Sequence, residues 1–277
     1  MSSPDIVIIT ALPVERDAVL SHLDRHELEN NYFRGQIQAQ NIVVALTSEM
    51  GNVEAAIVAT QMLESLNPRH IIMLGIAAGV PDRVELGDVV VAKFCHYYEL
   101  AKLKTQEKQQ RIRQYPCSTE LYGSARNYQG ADWHKTIKAV SPKQEISHLP
   151  QVHFGPIASG EKVIADEVSV ARLVKDCPEL LAVAMEGAGV ARAVQHKAGT
   201  HFIEIRGISD FADPHKNDDW QAYAANAAAA FLMVWLRSWT EQAGGQNVAH
   251  STLAEPTVQQ HAEKIYNIGK IEQATFE

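Results

Sequence analysis

Two carboxylates, Glu186 and Asp210, stand where an apolar stretch of the chain gives way to a helix or a loop. Residues 181–184 are apolar and lead into Glu186, and residues 201–206 alternate as a buried strand does before the loop that carries Asp210. In an open α/β sheet, ligands bind at the edge formed by the carboxyl ends of the strands. Each acid taken separately is better explained as a helix N-terminal acid or a turn residue. A third acid near the N-terminus shifts the balance toward a functional site.

That third acid is Glu15, which the sequence places in the first turn of a helix. The apolar run 5–10 predicts a short buried strand, and Pro13 suits the first turn of the helix that follows. An isolated Glu in this position is most often an ordinary first-turn acid. Its place directly after the first strand puts it at the same predicted edge as Glu186 and Asp210.

Alternating strand and helix patterns position these acids in a predicted α/β domain. Gly75–Gly79 is a run of small residues after the strand 70–74, which predicts a turn that lets backbone approach a ligand closely. The alanine-rich segment after Trp220 predicts a helix, ending near Trp239, that packs closely against the sheet. Further strands are predicted at 42–47, 89–92 and 152–160, with helices after Gly51 and from Asp166.

The domain is predicted to span residues 1–241, with an insertion near 97–150 and a linker and tail over 242–277. Residues 102–113 hold five bases and one acid, which indicates either a solvated helix or a basic rim that attracts a polyanionic substrate. The polar tail 257–277 contains only a short apolar segment, which could pair with another protein chain.

Bulk properties exclude several classes of protein. The 277 residues carry 33 acids and 25 bases, a net charge of −8, which argues against general binding to nucleic acid or to a membrane surface. Cys95, Cys117 and Cys177 form no metal-binding pattern, so neither a metal nor a cofactor is predicted. No stretch reaches the roughly 20 apolar residues of a membrane span, and no secretory signal is evident. The sequence predicts a cytoplasmic protein.

Six segments together resemble the nucleoside phosphorylase superfamily, in particular the branch of methylthioadenosine/S-adenosylhomocysteine nucleosidases and related domains of signalling and defence proteins. The resemblance covers roughly residues 5–240 and implies a single three-layer α/β domain with a central mixed, mostly parallel sheet flanked by helices. The matching segments, in family order, are TALPVERDAVL at 10–20, LGIAAGV at 74–80, LGDVVVA at 86–92, IASGEKVIAD at 157–166, VAMEGAG at 183–189 and IRGISDFAD at 205–213.

The resemblance assigns three tasks in breaking a nucleoside N-glycosidic bond. Asp210 would donate to the leaving purine, Glu186 would accept from the ribose hydroxyls, and Glu15 would deprotonate the attacking water with help from Arg206. Further residues matched to the substrate site are Met185, Ser209, Ile76, Ala77, Val163, Ile164 and Trp220.

The reaction implied is hydrolysis, since the Arg and Ser with which the phosphorylases bind phosphate are absent from Met73–Ile76. The nucleosidases also carry a serine where Ile76 stands and an acid where Ala184 stands, which leaves the water site and a narrow methylthioadenosine specificity open. The segment after Asp210 is closer to the domains of defence proteins, members of which act on adenine nucleotides including ATP. The resemblance therefore implies an adenine-releasing, homo-oligomeric hydrolase. A purine nucleoside phosphorylase and a catalytically weak nucleotide sensor remain the alternatives.

Overall fold

The computed structural model describes residues 4–104, 107–142, 148–212 and 218–249. One compact unit covers Met1–Thr240, and a second begins at Glu241. The strands are β1 (Ile6–Thr10), β2 (Arg25–Glu29), β3 (Tyr32–Ile37), β4 (Gln40–Leu46), β5 (His70–Gly79), β6 (Val89–Tyr97), β7 (Ala101–Lys104), β8 (Glu107–Gln110), β9 (Arg113–Pro116), β10 (Val152–Ser159), β11 (Ala182–Ala184) and β12 (His201–Asp210). The helices are α1 (Pro13–His22), α2 (Asn52–Leu66), α3 (Thr119–Asn127), α4 (Glu167–Asp176), α5 (Gly187–Val194) and α6 (Gln221–Ala249), with a 3₁₀ turn at Trp133–Thr136.

A mixed sheet flanked by helices forms the centre of the molecule, as predicted. Its order is β11-β10-β6-β12-β5-β1-β4-β3-β2, with β9 added beside β6. Among the described strands its pairings divide equally between parallel and antiparallel, so parallel pairs are fewer than expected. β11 pairs with both β10 and β5, and the strands β5, β12, β6, β10 and β11 therefore close into a ring.

The helix α6 packs against β12 at very short range. A Cβ placed on Gly207 would lie 1.9 Å from the carbonyl oxygen of Ala224, so residue 207 must lack a side chain. Alanines line the buried side of α6, which keeps the helix close to the sheet. The expectation that small side chains allow close packing here is confirmed.

Both strands that carry the site are longer than predicted. β5 continues through Gly79, so the small residues 75–79 form a strand rather than a turn. β12 continues through Gly207 to Asp210, because Gly207, Ile208 and Asp210 each pair with a residue of β5. The predicted loop edge is thus ordered strand, which holds the site side chains on fixed backbone.

The segment 102–113 forms strands rather than the solvated helix that its Lys and Gln content favoured. β7 and β8 pair as an antiparallel hairpin, and β9 pairs with β6. An open edge of β6 offers β9 main-chain hydrogen bonds, and such tertiary pairing overrides local helix propensity. Two other differences are the hairpin β2–β3, which was not predicted, and α6, which runs to Ala249 instead of ending near Trp239.

Candidate functional site

A cavity of about 310 Å³ lies beyond the ends of β1, β11 and β12, against the second half of β5. The three predicted acids, Glu15, Glu186 and Asp210, all line it although they come from distant parts of the sequence. The remaining lining residues are Ala11, Leu12, Met50, Ile76, Ala77, Ala78, Lys162, Val163, Ile164, Val183, Ala184, Met185, Arg206, Ser209, Asp218 and Gln221.

Glu15 is fixed in the cavity by backbone N–H groups. Its Oε2 accepts hydrogen bonds from Ala11 at 2.8 Å and Leu12 at 2.9 Å, and its Oε1 accepts from Ile76 at 2.8 Å. Burial raises the pKa of Glu15 above its usual value of 4.5, against the opposing charge of Arg206. A raised pKa makes an ionised Glu15 a stronger base than an exposed glutamate.

Arg206 connects Glu15 to the second acid. Its side chain is 1% exposed, and its Nη2 donates to Glu186 Oε2 at 2.8 Å. A Cβ on Gly75 would lie 2.3 Å from Glu15 Oε1 and 2.6 Å from Arg206 Nη1. Gly75 therefore leaves room for the side chains of Glu15 and Arg206 to approach each other over β5.

Glu186 is the N-cap residue of α5 and points back toward the cavity. Besides the bond from Arg206, its Oε1 accepts from Gly51 N and its Oε2 from Met185 N, each at 3.3 Å. These two N–H contacts are long, so Glu186 keeps capacity to accept from a ligand hydroxyl.

Glu204 is a buried site neighbour that the sequence analysis missed. Its Oε1 accepts from Arg206 Nε at 2.8 Å, although Glu204 itself does not line the cavity. Burial lowers the pKa of Arg206, but the surrounding carboxylates Glu204, Glu186 and Glu15 outweigh burial and raise it above the usual value. The signal available in the sequence was the alternation Glu204-Ile-Arg206, which places both charges on one face of the strand.

Asp210 ends β12 with its carboxylate held by local bonds. Ser209 Oγ donates to Oδ2 at 3.0 Å and the Ala212 N–H donates to Oδ1 at 2.9 Å. The pairing register shifts between Ile208 and Asp210, which inserts Ser209 as an extra residue opposite β5. This bulge sets the direction in which the last two side chains leave the strand.

All the other predicted site residues except Trp220 line the cavity. Met185, Ile76, Ala77 and Ser209 lie around the acids, while Val163 and Ile164 come from the segment after β10. Trp220 is 8% exposed and packs edge-to-face on Tyr223, with ring centroids 5.6 Å apart, and it is not a lining residue. Sequence reasoning did not assign Met50, Lys162, Asp218 and Gln221 to the site, although Lys162 lies within the matched segment 157–166.

This arrangement can donate, accept and move protons on a polar ligand. In the described ranges, no group of three or more His, Cys, Asp or Glu side chains is placed to hold a metal ion. Within the same ranges no helix is long and apolar enough to cross a bilayer.

Comparison with known protein families assigns the chain to a superfamily. The model of the phosphorylase superfamily matches residues 5–237, so the chain belongs to that superfamily.

Similar curated proteins are nucleosidases. The chain is 28% identical to the ATP nucleosidase Cap17 of Escherichia coli strain KTE188 over 264 residues, covering 86% of this chain and 52% of that protein. It is 29% identical to the 5′-methylthioadenosine/S-adenosylhomocysteine nucleosidase of Maridesulfovibrio salexigens, covering 74% of this chain and 85% of that enzyme. The chain thus spans about half the length of the Cap17 relative and most of the length of the smaller enzyme.

Solved structures of the same class share the fold. An S-adenosylhomocysteine nucleosidase of Streptococcus pyogenes, in complex with 5-methylthiotubericidin, superposes with a TM-score of 0.67 at 27% identity, over 86% of this chain and 98% of that one. A Streptococcus pneumoniae MTA/SAH nucleosidase, in complex with 8-aminoadenine, also gives a TM-score of 0.67, at 25% identity over 86% and 99%.

Proposed function

We propose that this protein is an N-ribosyl hydrolase that releases adenine from an adenine nucleoside or nucleotide, with ATP among its candidate substrates. The observation that carries the proposal is the meeting of Glu15, Glu186 and Asp210 in one cavity. The similarity of the chain to nucleosidases supports the same reaction class.

Each acid has a chemical task that its surroundings suit. Asp210, with the Ser209 hydroxyl bonded to it, would protonate or hydrogen-bond the leaving purine. Glu186 would accept from the ribose hydroxyls, with Met185 packed beneath the sugar. Glu15 would take a proton from water as the oxygen attacks the anomeric carbon, where positive charge develops.

Hydrolysis suits the charges of the cavity better than phosphorolysis does. Among the lining residues that the structure describes, the cations are Arg206 and Lys162. Arg206 is buried and held by Glu186 and Glu204, and Lys162 is paired with Glu99. A phosphate nucleophile near Glu15 and Glu186 would meet two carboxylates, whereas water would not be repelled.

The 5′ substituent of the substrate is the open part of the proposal. The similarity to an ATP nucleosidase favours a nucleoside triphosphate, and consumption of ATP would suit a stress or antiphage defence effector. No described residue of 102–113 lines the cavity, but β7 begins two residues after Glu99, which pairs with the lining Lys162. We also propose that the protein acts as a homo-oligomer in the cytoplasm, with residues 1–241 as the catalytic domain. A protein partner would bind through the tail, which lies outside the described residues.

The reaction is tested by incubating the pure protein with adenosine, methylthioadenosine, AMP and ATP, each with and without inorganic phosphate. We expect free adenine and a sugar that carries a hydroxyl, not a phosphate, on C1′. The rate of adenine release should not depend on the phosphate concentration. Ribose 1-phosphate products would identify a phosphorylase instead. Nucleotide binding without any base release would identify a sensor.

The pH dependence of base release follows from Glu15. A base acts only when deprotonated, and burial raises the pKa of Glu15. We therefore expect kcat/KM to fall as pH decreases, with the midpoint of the fall above the ordinary glutamate value of 4.5. A rate that stays constant below pH 4.5, measured where the protein remains folded, would exclude Glu15 as the base.

A further inference from the structure

Glu204 is a fully buried carboxylate that contacts the site from behind. Its side chain is 0% exposed and lies on β12 two residues before Arg206. Glu204 Oε1 accepts from Arg206 Nε at 2.8 Å, and Oε2 accepts from Cys95 Sγ at 3.1 Å. A buried carboxylate destabilises a fold unless it is paired and hydrogen-bonded, so its position here is tied to the arginine.

The helix α5 is shaped to leave room for this carboxylate. A Cβ on Gly187 would lie 2.1 Å from Glu204 Oε2, closer than any real contact. Gly187 directly follows Glu186. The start of α5 therefore presents Glu186 to the cavity and leaves room for the Glu204 carboxylate behind it.

Cys95 keeps Glu204 in the role of acceptor. Burial raises the pKa of the Cys95 thiol well above its usual value, and Cys117 and Glu204 raise it further. The thiol therefore stays protonated and donates to Oε2. With a thiol donor on one oxygen and a guanidinium donor on the other, both carboxylate oxygens of Glu204 have a fixed partner.

We propose that Glu204 is a positioning residue, which holds the Arg206 guanidinium by its Nε so that both Nη atoms face the site. The guanidinium is planar, and fixing Nε therefore orients Nη2 toward Glu186 and Nη1 toward the Ile76 carbonyl, at 3.3 Å. This role rests on the proposed base-release reaction, in which Glu186 and Glu15 are the groups that Arg206 serves.

Glu204 also compensates the charge of Arg206, which in turn acts on Glu15. The charged groups that face Arg206 are Glu204 on its own strand, Glu186 before α5 and Glu15 on α1, and Cys95 of β6 faces Glu204 as a neutral thiol. With these carboxylates ionised, the cluster carries a net charge of −2, which becomes −1 without Glu204. Removing Glu204 leaves the arginine charge less compensated, which favours the ionised form of Glu15.

The test is the pH profile of Glu204→Gln, which keeps the shape and an acceptor oxygen but removes the charge. We expect kcat to fall roughly ten- to a hundred-fold, as for a lost charge-assisted hydrogen bond, with KM changed less than about threefold. The acidic limb of the profile should move to lower pH. Asp88→Asn serves as the matched control, since Asp88 is another buried carboxylate but does not line the cavity, and its acidic limb should stay where the parent's is.

A second measurement separates this proposal from the proposed function. The carbonyl stretch of protonated Glu15, identified by infrared difference against Glu15→Gln, reports its titration without turnover. A lower midpoint for the titration of Glu15 in Glu204→Gln than in the parent supports the role of Glu204. This result would count even if the parent releases no base from any substrate tested. Two results would overturn the proposal. One is a loss of rate in Glu204→Gln that is equal at all pH values, with neither the acidic limb of the pH profile nor the titration of Glu15 shifted. The other is a kcat in Glu204→Gln equal to that of the parent.

Discussion

Among the residues that the structure describes, carboxylates are buried in two places, and the two places hold them by different means. The first place is the cavity cluster, which consists of Arg206 with Glu15, Glu186 and Glu204. Here Glu186 and Glu204 are both paired with Arg206, a cation that keeps its charge at every pH at which the protein is folded. Asp88 instead accepts from two histidine side chains, from His153 Nε2 at 2.7 Å and from His148 Nε2 at 3.2 Å.

Two backbone N–H groups complete the hydrogen bonding of Asp88. The N–H groups of Gln151 and Glu85 donate to its two oxygens, at 2.8 and 2.9 Å. Burial raises the pKa of Asp88, but the bond from His153 and these two N–H groups outweigh it and hold the pKa below its usual value. Asp88 ties the start of β6 to the start of β10, whereas Glu186 retains acceptor capacity for a ligand. The difference separates a carboxylate used for architecture from carboxylates kept for chemistry.

The largest effect is expected for Asp210→Asn, which should lower base release by on the order of 10²–10⁴. The amide is nearly isosteric, and Ser209 can still bond to its carbonyl oxygen, so the fold should persist. Rate measurements with adenosine and ATP, alongside the circular dichroism of both proteins, test this. Activity within a few-fold of the parent would remove Asp210 from the role of proton donor.

Glu186→Gln should have a smaller and more selective effect. It weakens an acceptor for the ribose hydroxyls, so turnover should fall by about 10- to 100-fold while ground-state affinity changes less. A 2′-deoxy substrate lacks one of these hydroxyls and should show much less of the penalty. Equal penalties for ribo and deoxyribo substrates would argue against the contact.

Asp88→Asn should act on stability rather than on catalysis. Loss of the charge-assisted bonds should lower the free energy of unfolding near neutral pH by about 1–3 kcal/mol. Because the folded-state pKa is depressed, this stabilisation is present above the usual value of 3.8 and is lost as pH falls through the folded value. Urea unfolding at several pH values should show the difference between parent and variant shrinking with acid. A large loss of kcat at 25 °C in folded Asp88→Asn would place Asp88 with the cavity cluster instead.

The smallest effect is expected from the basic residues of 102–113. If these bases attract a triphosphate, changing Lys102, Lys104 and Lys108 to Gln should lower kcat/KM for ATP a few-fold at low salt and leave adenosine unaffected. The effect should fade as salt shortens the screening length to about 8 Å at physiological ionic strength. An ATP rate indifferent to both salt and mutation would show that this hairpin is only a solvated surface.

The sequence predicted the fold class and the acids because both depend on local patterns. Apolar runs ending at Glu186 and Asp210 indicate strands, and the two parallel pairings of β5, with β1 and β12, bring their ends to one place. Glu204 was missed because the alternation Glu204-Ile-Arg206 shows only that both charges share one face of the strand, and the contact with Cys95 appears only in the folded structure. Lys162 lies in the matched segment 157–166, but the sequence does not show which side chains of that segment turn toward the cavity, and Gln221 reaches the cavity through tertiary contacts.

The strand assignment of 102–113 and the place of Trp220 were beyond local reasoning for a related cause. Lys, Gln and Glu favour a helix, and only the open edge of β6 makes β9 a strand. Trp220 follows a matched motif, but its ring packs on Tyr223, beside Gly87. An aromatic side chain near a site packs against the apolar surface that the folded chain offers, and the spacing of residues in the sequence does not show where that surface lies.

The extra residue in β12 has a consequence for how this chain can change over generations. Side chains alternate along a strand, and Ser209 shifts that alternation by one position between Ile208 and Asp210. Deleting one residue from 207–209 would turn Asp210 toward the opposite face, while Glu204 and Arg206 would keep theirs. A point substitution on this strand changes one side chain, but a single-codon insertion or deletion there would separate Asp210 from the rest of the site at once. Length variation among descendants of this protein should accordingly be confined to other segments, such as the β7–β8 hairpin.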